Sequence, residues 1–367
     1  MSIWSDKRCC WIALSGIKGI GSVTFKNLLM KFGDPETIFK SSASELSTVE
    51  GIRKETVEGI VNKRFETDPC AELKKIESCG ARIVTFNDPE YPASLKEIHD
   101  PPVIIYMKGA EIPRNKSFIA VVGSRNATHY GLKTAEEFGQ GIARRGLGVV
   151  SGMALGIDAA SHWGCIEGKG FTVAVLGTGI DIVYPGKNKK LFEKIIESGT
   201  IVTEFPVGTS PSPQNFPKRN RIISGLSRGV LVVEATRNSG SLITASIALD
   251  QGRDVFAVPG SIESFKSRGC HFLIKHGAML VENADDIMEG LGMNYPGAVK
   301  SDTFIKKELP EMNDIEQIIY NIISSYPMHI DQIQKQGNFA SGDLSGILTK
   351  MELRGIIKQL PGKMFVR

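Results

Sequence analysis

Between residues 82 and 291 the chain sets short runs of branched and small apolar residues beside stretches long enough for a helix. The runs are SFIAVV at 117–122, LGVV at 147–150, FTVAVL at 171–176, TIVTE at 200–204, GVLVVEA at 229–235, DVFAVP at 254–259 and AMLV at 278–281. They are short and mainly apolar, which suits strands buried on both faces. Strands of that kind, separated by helices, predict an α/β fold with a doubly wound, mainly parallel sheet. In such folds ligands bind outside the carboxyl ends of the strands, near the point where strand order reverses. Candidate functional residues are therefore expected at the strand ends.

The flanks read differently. Residues 1–80 carry apolar residues at helical spacing. In LSGIKGIGSVTFKNLL, Ile17, Gly19, Ile20 and Gly21 form a turn between two apolar helical segments, as in a helix-hairpin-helix. A weaker copy runs through Leu46, Val49, Gly51 and Ile52. Glycines there let a backbone approach a phosphate, and the following helix offers unpaired N–H groups. A plain helical hairpin or a protein-docking module accounts for the same pattern. Residues 292–312 read as a linker, with scattered charge, Gly and Pro. Residues 313–367 are a small separate unit of three helices and a hairpin turning at Pro361-Gly362, a winged-helix-like pattern. Its third helix carries only Lys350 and Arg354 as cations, against Asp343 and Glu352, which is thin for a major-groove reader.

Composition narrows the class further. The formal net charge is only +4, so any nucleic-acid site must be a local cluster rather than a global field. No run of 18 apolar residues exists, so no membrane span is expected. Lys7 and Arg8 precede a short apolar stretch without a small-residue cleavage pattern, so no signal peptide is expected either. The six cysteines form no C-x-x-C and lack histidines at ligand spacing, so they read as reduced packing thiols of a cytoplasmic protein, with no metal site.

Small and cationic residues gather after the strands. The first run ends in Gly123-Ser124-Arg125 ahead of a long helical pattern. A glycine for close approach, a hydroxyl, a helix start and a guanidinium together suit a phosphate, although a turn with a surface arginine is equally compatible. The second run ends in Ser151-Gly152-Met153-Ala154-Leu155-Gly156-Ile157-Asp158, with His162 one turn beyond. Asp158 and His162 share a helix face and could pair, as a structural bond or as an acid–base couple. The third ends in Gly177-Thr178-Gly179, with Tyr184-Pro185 just beyond. After the fourth comes a proline-rich loop holding Phe216, Lys218, Arg219, Asn220 and Arg221, a dense basic cluster beside an aromatic. An aromatic among cations is the composition of a single-strand groove, where bases stack and phosphates meet positive charge. After the fifth come Ser239, Gly240 and Ser241, opening a helix. The pattern matches neither G-x-G-x-x-G nor a Walker A loop, and there is no G-x-S-x-G elbow, no H-E-x-x-H and no paired strand-end carboxylates. No catalytic residues and no cofactor are expected.

The motifs VVGSR, VSGMALGIDAASH, VLGTGID-x-x-YP, FPKRNRIISGLS, SGSLITA, QGRDVFAVPGSI and SRGCHFLIKHGA, in this order, resemble the DNA-processing protein A family, DprA, also called Smf. DPEYPASLKEIHDPPVIIYMKG resembles the segment that leads into that family's central domain. The resemblance implies an extended Rossmann-like domain at 82–291 that binds single-stranded DNA rather than a dinucleotide. It further implies a homodimer that helps load RecA recombinase in natural transformation. By motif match, DNA contact falls to Gly123, Ser124 and Arg125 and to Phe216, Lys218, Arg219, Asn220 and Arg221, with Ser239, Gly240 and Ser241 as a third contact. The dimer surface falls near residues 270–282. Two other classes compete. A nucleotide-cleaving Rossmann-like enzyme would carry a PGGxGTxxE run, which this chain lacks. A duplex-binding regulator would act through the winged helix.

Overall fold

The apolar runs become strands, with both faces covered in all but the last, at 278–281, where Met279 and Leu280 are exposed. The structure, a computed structural model, describes residues 6–65, 67–293, 310, 312–324, 326–339 and 341–367. Nearly all of the expected linker at 292–312 lies outside the described residues. Two compact units emerge, one from residues before 127 together with 134–293, the other from 127–133 and the described residues after 293.

The first unit holds a nine-stranded sheet: β1 (Arg82–Thr85), β2 (Ile104–Gly109), β3 (Phe118–Val122), β4 (Gly148–Ser151), β5 (Thr172–Val175), β6 (Thr200–Thr203), β7 (Gly229–Val232), β8 (Asp254–Ala257) and β9 (Met279–Leu280). The order is β1-β2-β6-β5-β4-β3-β7-β8-β9. From β6 to β9 every neighbour is parallel, as the apolar runs predict. β1 and β2 were not foreseen. They extend the sheet antiparallel, with Tyr106 of β2 opposite Thr203 of β6. No tight turn joins β1 to β2, and β2 pairs with a strand far along the chain, so local pattern carries no sign of either.

Six helices precede the sheet: α1 (Lys7–Ser15), α2 (Ser22–Phe32), α3 (Pro35–Lys40), α4 (Ala43–Leu46), α5 (Lys54–Val61) and α6 (Pro69–Ser78). Among the strands come α7 (Ala93–Lys96), α8 (His129–Arg144), α9 (Ile157–Glu167), α10 (Lys189–Ser198), α11 (Asn215–Gly225), α12 (Gly240–Asp250) and α13 (Arg268–Lys275), with α14 (Ala284–Gly290) after β9. Strand residues alternate between layers, as the pleat requires. Phe118, Ala120, Val122, Val173, Val175, Val230 and Val232 join Ile222, Ala245, Ala248 and Leu273 of α11, α12 and α13. Ala174 and Ile201 face the other way, into a cluster with Leu191, Phe192 and Ile195 of α10. That cluster runs on into the N-terminal helices, where Trp11 stacks on Phe25 at 5.4 Å between ring centroids. The N-terminal helices and the sheet thus share one core.

The two expected hairpins are present, α1–α2 and α4–α5, with Gly19 at φ +90 and Gly51 at φ +75. A Cβ on Gly19 would lie 2.5 Å from Thr56 Oγ1, so the first turn is seated on the second hairpin's helix. Between α8 and α9 the backbones touch. A Cβ on Gly164 would collide with the Glu136 carbonyl, and one on Gly139 with the Ser161 carbonyl.

The second unit contains α15 (Asp314–Ile322), β10 (Met328–His329), α16 (Ile330–Gly337), α17 (Ser341–Leu353), β11 (Lys358–Leu360) and β12 (Met364–Val366). Its antiparallel sheet has the order β10-β12-β11. Ile319, Ile333, Leu344, Leu348, Met351 and Phe365 form its core. Arg354, one of the two cations expected on the third helix, is bonded to Glu316 at 2.9 Å.

His162 links α9 to the sheet and does not pair with Asp158. Its Nδ1 lies 2.7 Å from Thr172 Oγ1, whose hydroxyl donates to Val149 O at 3.0 Å. Since that hydroxyl proton is committed, Nδ1 must carry the imidazole proton. Nε2 is left as a buried lone pair without a partner. Charging it would bury an unpaired cation, so burial pushes the imidazole pKa down to about 3. The unfolded chain takes up this proton near pH 6.5 and the folded protein does not until about pH 3. Stability from this residue is therefore intact above pH 6.5 and falls as pH drops through that window, by at most about 1.4 kcal/mol per pH unit. His162→Gln removes the contribution. The loss of Tm between pH 7 and pH 5 is expected to be smaller in the variant than in the parent, and equal losses would refute the assignment.

Candidate functional site

Strand order reverses at β3. The chain steps outward through β4, β5 and β6, then returns to place β7 on the other side of β3. The connections after β3 and β7 leave in opposite directions and open a crevice beyond their carboxyl ends. A cavity of about 590 Å³ lies there. Gly123, Ser124 and Arg125 line it after β3, Thr236, Ser239, Gly240 and Ser241 after β7, and Phe216, Arg219 and Asn220 from α11. Three strand-end segments, separate in sequence, thus share one groove.

Each segment is held by its backbone. Ser124 N donates to Glu234 O at 2.7 Å, and Ile157 N to Ser124 O at 3.2 Å, so the turn after β3 is clamped between β7 and the start of α9. Gly123 permits this, because a Cβ there would lie 2.6 Å from Ile157 and 2.9 Å from Glu234 O. Ser239 caps α12 by accepting from Ser241 N at 3.4 Å, and its hydroxyl lies 2.7 Å from that of Ser241. The space beside Gly240 is open. The first N–H groups of α12 therefore border the groove with the positive end of the helix dipole.

An aromatic and cationic stack forms one wall. The Arg125 guanidinium lies 5.2 Å from the Phe216 ring centroid, and Tyr184 lies 5.6 Å from that ring on a 31° tilt. Gly177 leaves room for the ring, since a Cβ there would come within 2.8 Å of it. Phe216 is half-buried, and Arg125 and Tyr184 are exposed. Tyr184 is a lining residue that the motif reading passed over. The available signal was an aromatic just past the glycine-rich end of β5.

The basic cluster is not a loop. It lies on α11, which begins at Asn215, with Pro217 in the first turn where no intrahelical N–H is required. A helix sends adjacent side chains in different directions, and the four cluster residues part accordingly. Lys218 is exposed but does not line the groove, and Asn220 does. Arg219 is buried, 4% exposed, and forms part of the groove floor. Its Nη1 donates to Val175 O at the end of β5, while Nε has no partner. Gly152 makes the space, since a Cβ there would collide with the guanidinium. Burial pushes the Arg219 pKa down to about 10, which leaves it charged at neutral pH. Asp158 is its electrostatic partner. Burial pushes that carboxyl up, while Arg219 and the N–H groups of Ala154 and Gly152 act to hold it down. Arg125, Arg219 and Asp158 are the charged side chains lining the groove, two guanidinium groups to one carboxylate. Among the described residues no cluster suited to a metal ion occurs.

Arg221 turns away from the groove altogether. Its two terminal nitrogens grip Glu204 at 2.8 and 2.7 Å, and Nε holds Asp100 at 2.8 Å. Arg221 is 12% exposed and Glu204 17%, so the pair is largely desolvated. The motif match assigns Arg221 to DNA contact; the structure instead commits it to these two carboxylates, outside the groove lining. The bidentate fork fastens α11 to the end of β6. Arg221→Ala leaves Glu204 without its counter-charge and is expected to cost roughly 3 kcal/mol in denaturant unfolding, in the range for breaking a buried pair. Unchanged stability would refute the anchoring role of the Arg221 fork.

Comparison with known proteins agrees with this architecture. Residues 82–292 match the family model described as DNA recombination-mediator protein A. The chain belongs to that family. Residues 306–363 match the DprA winged helix domain, and 12–63 the SAM-like helix-hairpin-helix tandem. Protein Smf of Synechocystis is 34% identical over 395 residues, covering 99% of each chain. The X-ray structure of DNA processing protein A from Streptococcus pneumoniae superposes with a TM-score of 0.68 at 37% identity, covering 76% of this chain and 95% of that one. DNA processing protein A from Helicobacter pylori, described for its unique single-stranded DNA binding mode, gives 0.51 at 25% identity, covering 57% and 95%. The broad role of this recombination-mediator family member is therefore DNA processing. Its fold is a Rossmann-like, mainly parallel sheet between a helix-hairpin-helix region and a winged helix. No helix of the described residues is long and apolar enough to cross a membrane.

Proposed function

We propose that the groove beyond β3 and β7 binds single-stranded DNA by phosphate contact and base stacking. The observation that carries this is the stack of Arg125, Phe216 and Tyr184 above a buried, incompletely satisfied Arg219. A phosphate entering the groove meets two guanidinium groups and the N–H groups that start α12. A base has the exposed Tyr184 and the rim of Phe216 to lie against. Stacking accepts any base, and phosphate contact reads none, so binding is sequence-tolerant. A duplex hides its base faces and gains only the charge term. The solved relative from Helicobacter pylori, described for single-stranded DNA binding, supports the same ligand.

The test is fluorescence anisotropy with labelled oligo-dT and its duplex at several salt concentrations. Single strand is expected to bind more tightly than duplex. Arg125→Ala should weaken binding and flatten the dependence of log K on log salt by about 0.7, the value for one phosphate contact on a single strand. Phe216→Ala should cost about 1–3 kcal/mol with little change in that slope. Duplex preference with indifference to Arg125 would overturn the reading and move DNA contact to the winged helix.

The reading extends to a homodimer and to delivery of the strand to RecA in natural transformation. β9 is an outer strand of the sheet, with Met279 36% and Leu280 44% exposed. Phe272 at 40% and Leu249 at 59% stand nearby around a cavity of about 370 Å³. An open edge bordered by apolar side chains is a ready surface for a second copy, and it falls within the expected 270–282 region. Light scattering should give twice the chain mass, reduced to a monomer by Met279→Lys with Tm unchanged. A monomeric parent protein would remove the dimer. Stimulation of RecA assembly on strands coated with single-strand binding protein tests the mediator step.

A further inference from the structure

A second concavity lies on the far side of the turn that carries Ser239 and Gly240. Its volume is about 510 Å³, and Arg237, Arg268, His271, Phe272, Lys275 and His276 line it. No carboxylate is among them. Arg237, Arg268 and Lys275 are exposed, and among the described residues none of the three forms an ion pair or a side-chain hydrogen bond. Arg268, His271, Phe272 and Lys275 fall at i, i+3, i+4 and i+7 of α13 and so share one face. Three uncompensated cations around one hollow repel each other, and an arrangement of this kind is relieved by a bound polyanion.

The hollow is joined to the main groove by backbone. Gly269 N donates to Ala235 O at 2.7 Å, and Ala235 N to Lys266 O at 2.9 Å. A Cβ on Gly269 would lie 2.6 Å from Ala235 O and 2.7 Å from Thr236 O, so α13 starts in direct contact with the turn after β7. This brings Arg268 alongside Arg237. Thr236, Ser239, Gly240 and Ser241 line the groove, and Arg237 lines the hollow, so residues 236–241 are a ridge shared by both. On its other border, Phe272 and His276, with ring centroids 4.1 Å apart, line both this hollow and the apolar cavity beside β9.

We propose that a single strand seated in the groove crosses this ridge and continues over a second phosphate-binding surface formed by Arg237, Arg268 and Lys275. The proposal rests on the groove reading above and adds a direction to it, since the strand leaves the groove on the α13 side. The order is groove, ridge, basic hollow, apolar edge.

Length dependence tests it on the full chain. Oligo-dT of about 6 nucleotides suits the groove alone, and one of about 20 reaches past the ridge, within the range of single-strand site sizes. Arg268→Ala with Lys275→Ala should weaken binding of the long oligomer about tenfold and flatten its salt slope by about 1.4, for two lost phosphate contacts. Binding of the short oligomer should stay within about twofold of the parent. Arg237→Ala, on the ridge rather than on α13, should flatten the long-oligomer slope by about 0.7. The inference is overturned if the double variant binds the long oligomer as the parent does, or loses the same factor at both lengths. If the parent itself binds neither oligomer, the groove reading falls and this one falls with it.

Discussion

Arg219 ties the site together. It is a charged side chain buried beneath the β4–α9 turn, bonded to the last carbonyl of β5 and carried by α11. Three segments that border the groove therefore meet at one guanidinium. A buried charge is costly, and only Asp158 stands against it, itself raised by burial and held by the N–H groups of Gly152 and Ala154. The glycine at 152 is a consequence, because any side chain there would occupy the guanidinium's place. What results is a groove lined by two guanidinium groups, Arg125 and Arg219, against the one carboxylate of Asp158, before any surface lysine is counted. That explains how a chain with a net charge of only +4 can offer an anion a defined seat.

The other cations then take different work. Arg221, two residues along the same helix, is consumed by Glu204 and Asp100, which fix α11 against the end of β6. That anchoring holds Phe216 in register with Arg125 and Tyr184 at the other end of the helix's first turns. Position along a helix decides between these roles. Residues 219, 220 and 221 are each rotated by about 100° from the last, so one points to the floor, one to the groove and one to the neighbouring strand.

This rotation also marks how far the sequence could be read. The seven parallel strands and the strand ends that matter were legible, because runs such as FIAVV and TVAV are buried on both faces and announce themselves locally. The grouping of Gly123–Arg125 with Ser239–Ser241 followed from the general rule for strand-order reversal. The basic cluster was legible as composition but not as geometry. Read as a loop, it offers four free polar residues; wound into α11, it divides them between floor, groove, solvent and ion pair. β1 and β2 escaped because their partners are remote, and Tyr184 because its role depends on a ring contributed by α11. In each case the missing information was a long-range contact.

The same distinction bears on the direction a strand takes through the protein. Within the groove, the start of α12 and the guanidinium of Arg125 both line one cavity, and on the proposed reading a phosphate held there is not steered to either exit. The asymmetry lies outside. Beyond the ridge at 236–241 the surface carries Arg237, Arg268 and Lys275 with no compensating acid among the lining residues. On the N-terminal side of α11, by contrast, the lining residues are Pro211, Pro213 and Pro217, which carry no charge. On the proposed reading, this difference in lining charge favours a polyanion leaving over α13 toward the apolar edge at β9. If a second copy joins at that edge, two such surfaces approach each other, and one strand can pass from protomer to protomer. Its stretch between the grooves is then held by phosphate contacts alone and leaves its bases unstacked. On that reading a strand displayed in this way is open to pairing by a recombinase, which would give a dimer a role in the proposed handover beyond raising affinity.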